Sequence, residues 1–146
     1  MASIAESAII TNPNLKISTN GDKTAVDEQL STFLTAVRRH LHKNPELGLR
    51  EFQTSRFIRK TLEAQGLEVH GPIATTGLYV DIVGERPGRL VGYRSDIDAL
   101  PDADADADAK AKAKAKAKDA SHKSQNDGVA HLCGHDAHTA MAVCLA

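Results

Sequence analysis

An α/β arrangement, with helices packed on a mixed sheet, is the fold this sequence predicts. Three observations carry that reading. Apolar residues recur at helical spacing in two early segments, β-rich runs fill the middle, and an apolar helical pattern returns near residue 146. The length of 146 residues suits about one domain, and 41% hydrophobic with 25% charged residues is an ordinary globular balance.

Residues 1–23 read as a loosely ordered leader. MASIAESAII is apolar but short, carries Glu6, and has no Lys or Arg before its apolar residues, which makes a poor secretory signal. Residues 24–43 read as a helix, with Leu30, Phe33, Leu34, Val37 and Leu41 on one stripe. Thr24 is the expected cap, with Asp27 three residues on. Asn44-Pro45 ends the helix, because the residue before proline avoids the α region. A second helix is expected from about Arg50 to Gln65, packing through Phe52, Phe57, Ile58 and Leu62, with Gly66 as its left-handed cap.

Strands follow. Leu67–Val69 alternates briefly, and Leu78–Val83 with Arg89–Arg94 flank a Pro-Gly turn at 85–88, which predicts a hairpin. The second run leads into SDIDALP, residues 95–101, a strand end delivering carboxylates to a rim. Residues 102–118 then read DADADADAKAKAKAKAK, four Asp followed by five Lys with Ala between. Alanine offers too little apolar area to hold such a segment on a core, so a solvated low-complexity insert is expected within a domain spanning 24–146. The apolar pattern of 138–146 reads as the first turns of a buried helix.

Composition narrows the partners. The net charge is −1 and the aromatics are three Phe and two Tyr with no Trp, so neither nucleic acid nor a membrane surface is indicated. No run approaches the ~18 apolar residues of a membrane span. Two cysteines, 133 and 144, make no disulfide framework, and a reduced, cytoplasmic protein is expected.

The chemistry concentrates in HLCGHDAHTA, residues 131–140. Thiolate and imidazole are preferred ligands of zinc and related divalent ions. In an extended chain His131, Cys133 and His135 would face one side, with Gly134 admitting a close backbone approach. Asp136 would hold an imidazole in one tautomer. His138 would reach a bound anion or lie in the capping region of the last helix. On residues alone the alternative is a polar turn with one buried thiol, and a nucleophilic Cys133 assisted by His135 or His138 is a third reading. Cys144, among Ala, Val and Leu, reads as a small core residue. Asp96 and Asp98 read either as rim carboxylates or as a turn bonding its own backbone. Arg38, Arg39, His40 and His42 read as a basic cluster opposing the dipole of the first helix.

Three stretches in order, RRHLHKNPELGLREFQTS (38–55), LVGYRSDIDALP (90–101) and GVAHLCGHDAHTAMA (128–142), resemble the metal-dependent amidohydrolases that include hippurate hydrolase, N-acyl-amino-acid amidohydrolases and indole-acetyl-amino-acid hydrolases, within the aminoacylase and carboxypeptidase superfamily. The resemblance covers residues 27–146 apart from the repeat. It implies the incomplete catalytic α/β domain of a two-domain metallohydrolase whose lid domain, often the dimerisation element, is absent. It implies a centre of two divalent ions (zinc, manganese, cobalt or nickel), with Cys133 and His135 as ligands, Asp96 as a supporting carboxylate and His138 beside the substrate. Sister families carry His-x-Asp where this chain has Arg94 and Asp96, and a guanidinium cannot ligate. The implied reaction is hydrolysis of a small-molecule N-acyl amino acid by metal-activated water. The family's general-base Glu and further His ligands have no counterpart in these residues, so the expectation is a fragment inactive alone. The alternative is a non-enzymatic remnant binding metal or a protein partner.

Overall fold

The computed structural model describes residues 23–102 and 122–146, with side chains from residue 28 onward. The expected leader, the Thr24 cap and nearly all of the Asp-Ala/Lys-Ala insert lie outside those descriptions. The described residues form α1 (Lys23–Lys43), α2 (Phe52–Ala64), β1 (His70–Ile73), β2 (Gly77–Tyr79), β3 (Leu100–Pro101), β4 (Val129–Ala130) and α3 (His135–Leu145).

Helix α1 forms where its stripe predicts, and the stripe is what it buries. Phe33, Val37 and Leu41 join Ile58 and Leu62 of α2, Val69, and Ala140 and Val143 of α3 in one core. Burying one such side chain is worth roughly 1.5–3 kcal/mol. The helix stops as Asn44 folds back, its backbone N–H donating to the carbonyls of His40 and Leu41 and its side-chain amide donating to His40 O at 2.7 Å.

The next turn explains why Pro-Glu follows. The Glu46 carboxylate accepts from the Thr54 backbone N–H (2.8 Å), the Thr54 hydroxyl (2.9 Å) and the Gln53 N–H (3.2 Å). It therefore caps the first turn of α2 from outside the helix, where an anion also meets the favourable end of the dipole. Helix α2 ends at Ala64 with Gln65 as its C-cap, and Gly66 just beyond takes the left-handed conformation, φ 85°, that closes a helix.

The sheet differs from the expected mixed one. The described strands make two separate antiparallel ladders, β1 with β2 and β3 with β4. One parallel bridge joins Leu47 to Ala99. The hairpin across 85–88 does not form. Only Gly77–Tyr79 of that region enters a ladder, and its partner is β1. Residues 80–98 run without strand pairing. Leu67–Val69 is likewise irregular, and the strand starts one residue later. A β-rich run becomes a strand only where a neighbouring backbone answers its donors and acceptors.

Helix α3 begins earlier than its apolar pattern suggests, at His135. Gly134, at φ 79°, breaks the extended chain immediately before it. The polar residues 135–138 are thereby its first turn, and it packs along α1.

Candidate metal centre

The segment from Ser95 to Ala99 and the start of α3 form the site. Thr139 donates to Asp96 O at 3.0 Å, and the Ala99 N–H donates to Glu46 O at 2.7 Å. These bonds fix the strand-like segment between α3 and the turn that follows α1, so Asp98 arrives beside His135.

The His135 Nδ1 lies 2.9 Å from both the Asp98 backbone carbonyl and Asp98 Oδ1. Both neighbours are acceptors, so Nδ1 carries a proton, and in the neutral tautomer this selects, Nε2 is the nitrogen with the lone pair. This carboxylate-held imidazole is the arrangement that orients metal-ligating histidines. Cys133, two residues earlier, is an exposed free thiol.

Other expected members are placed differently. Asp96 accepts from Arg94 Nη2 at 2.7 Å and Nε at 3.1 Å, and those bonds hold its carboxyl below the usual carboxylate range. The rim carboxylate that meets His135 is therefore Asp98, while Asp96 faces Arg94. His131, Cys133 and His135 do not share one side. Gly134 interrupts the extended geometry, His131 is buried, and Cys133 points to solvent. Both His131 ring nitrogens are without a hydrogen-bond partner among the described residues, and burial pushes its imidazole below the ordinary value. His138 lies in the first turn of α3, edge-on to Tyr93 with ring centroids 5.8 Å apart. Cys144 is half-buried, and burial raises its thiol to about 11.

Asp136 does not hold the imidazole of a candidate ligand. It is 1% exposed, and its Oδ2 accepts from His42 Nδ1 at 2.8 Å and from Arg38 Nε at 3.3 Å. The basic cluster at the end of α1 is thus partly a partner for a buried acid. Sequence reasoning missed this, although Arg38 and His42 stand four apart on one helix face.

The donor set fits part of a metal centre. A thiol on the loop and an imidazole at the start of α3 stand two residues apart, but no group of three or more His, Cys, Asp or Glu able to hold an ion occurs among the described residues. No described helix is long and apolar enough to cross a membrane.

No family model matches the chain. It is 41% identical over 120 residues to the N-acyl-L-amino acid amidohydrolase of Geobacillus stearothermophilus, spanning 82% of this chain and 29% of that protein. It is 38% identical over 111 residues to the N-acetyl-L-cysteine deacetylase of Bacillus subtilis, spanning 76% and 24%. It is 34% identical over 131 residues to the IAA-amino acid hydrolase ILR1-like 5 of Arabidopsis thaliana, spanning 90% and 27%. Among solved structures, the YXEP protein of Bacillus subtilis, a dinuclear metal-binding peptidase of the M20 family, superposes with a TM-score of 0.66 at 35% identity, covering 80% of this chain and 30% of that one. Over these residues the chain belongs to the M20 family of amidohydrolases. It spans 24–29% of the length of these three curated relatives.

Proposed function

We propose that this chain carries the Cys133–His135 part of the divalent metal centre of an N-acyl-amino-acid amidohydrolase. The observation that carries the reading is the His135 imidazole, whose Nδ1 proton is held by Asp98 and whose Nε2 is left open two residues from an exposed thiol. The names of the relatives, which include deacetylases and hydrolases of acylated amino acids, support the substrate class. Bound at Cys133 and His135, a divalent ion would polarise an amide carbonyl and supply an activated water. Asp98 keeps the His135 proton on Nδ1, Thr139 keeps the Asp96–Asp98 segment against α3, and the Ala99 N–H ties its end to Glu46 in the turn after α1. The general base and the remaining ligands belong, on this reading, to the portion of the relatives that this chain does not span.

A chimera tests it. This chain replaces its matching segment in the Bacillus subtilis N-acetyl-L-cysteine deacetylase. The expected result is chelator-sensitive release of free amino acid, abolished by Cys133→Ser and by His135→Gln. Undiminished hydrolysis in both variants would overturn the assignment.

A further inference from the structure

The motif around the site contains a second carboxylate whose position the proposed ligation does not explain. Asp136 follows His135 directly and is buried to 1% exposure. A buried carboxylate is costly unless paired and hydrogen-bonded. Its partners come from a different helix. His42 and Arg38, one turn apart near the end of α1, both reach its Oδ2, at 2.8 and 3.3 Å. Oδ2 already accepts from the Arg38 guanidinium, so His42 Nδ1 is the donor to the same oxygen.

Backbone bonds tie the loop to the helix start, with the Ala137 and His138 N–H groups donating to Gly134 O at 3.1 and 3.0 Å. Leu132 donates its N–H to Ala130 O, Gly134 is left-handed, and the His131 ring has no described hydrogen-bond partner. From Cys133 to Asp136 the chain is held by side chains at two points. His135 is tied to Asp98 on one side, and Asp136 is tied to α1 on the other. The carboxylate also lies in the first turn of α3, where negative charge is favoured, so it fixes the start of the helix as well. Displacing that first turn would rotate His135 and shift Cys133 together.

We propose that Asp136, clamped by His42 and Arg38 of α1, is a positioning residue that sets the spacing of Cys133 and His135 for metal binding. The proposal rests on those two residues being ligands. It assigns a role to Arg38 and His42 of α1, which meet the first turn of α3 at Asp136. His42 acts through Asp136, and what matters is the hydrogen-bond donor at its Nδ1 position.

The test is a cobalt(II) titration of the full chain, read by the thiolate-to-cobalt absorption band and by affinity. The variants are Asp136→Asn, His42→Ala and His42→Asn, with Cys133→Ser as the control. An asparagine amide nitrogen sits close to the place of the histidine Nδ1, so His42→Asn retains the donor that His42→Ala removes. The expected result is a band in the wild type that is lost in Cys133→Ser. Affinity should fall about tenfold or more in Asp136→Asn and His42→Ala, and return to within about a factor of three of the wild type in His42→Asn. His42 is partly exposed, so the two His42 variants decide the matter even where Asp136→Asn fails to fold. A wild-type band with equal affinity in His42→Ala and His42→Asn would overturn the positioning role and leave the ligand assignment standing. No band in the wild type would overturn the ligand assignment, and the positioning role with it.

Discussion

The packed pair α1 and α3 and the extended run 80–98 are both rich in aliphatic residues, yet they bury them very differently. Val37 and Ala140 are fully enclosed at 0% exposure, whereas Val83 and Leu90 stand 93% and 97% exposed. Between the extended run and α3 lies an apolar groove of ≈ 400 Å³, whose lining includes Leu78, Val80, Ile97 and Val143. A helix satisfies its backbone internally and needs only one covered face, while an extended run needs a neighbouring strand before its side chains can form a layer. The lesson concerns the site. Asp136 and His135 belong to the enclosed pair, and the extended run reaches them only through its last residues, from Arg94 to Asp98. The His135 side of the candidate centre is therefore anchored on the packed pair, while Cys133 stands exposed before it.

The sharpest break of that contrast is a cavity in the enclosed region. Leu41→Ala, at a side chain 2% exposed, should destabilise the chain by about 2–5 kcal/mol, read as a lower urea midpoint. A loss as small as that of a surface substitution would show that α1 is not the packed support described here.

A smaller effect comes from His131. Burial lowers its folded pKa below the ordinary 6.5, so as pH falls the unfolded chain takes up this proton first. Its contribution to stability is full above pH 6.5 and is lost as pH falls from there toward and below the folded value. The slope from one such proton is at most about 1.4 kcal/mol per pH unit. Thermal melts between pH 5 and 7 should show a steeper loss in the wild type than in His131→Leu. Parallel curves would contradict a buried neutral imidazole.

The smallest effect is expected in the open region. Val91→Thr, at a side chain 85% exposed, should change stability by no more than about 0.5 kcal/mol. A large loss on chemical denaturation would mean that this run is covered in solution, and the comparison would have to be redrawn.

Much of the helical scaffold was legible from spacing alone. The stripe from Leu30 to Leu41 predicted α1 to within a residue of the observed start, and Gly66 marked the end of α2. What spacing could not show was partner choice. The β-rich composition of 78–83 and 89–94 is real, but pairing depends on which backbone lies alongside, and β2 pairs with β1. The site divides in the same way. Cys133 and His135 stand out as residue types, whereas the pairing of His135 with Asp98 and of Asp136 with His42 spans 37 and 94 residues of chain. The left-handed Gly134 also turned an expected extended row of His131, Cys133 and His135 into a loop and a helix start. A glycine in a short motif fits either outcome, because its backbone admits both conformations.

The most direct test of the central claim, that Cys133 and His135 bind one ion together, is zinc-edge X-ray absorption on the chain loaded with one equivalent of zinc. The predicted spectrum shows a single sulfur neighbour at about 2.3 Å alongside nitrogen and oxygen, with the sulfur shell gone in Cys133→Ser. A sulfur shell that persists in Cys133→Ser, or a wild-type spectrum of nitrogen and oxygen alone, would contradict it.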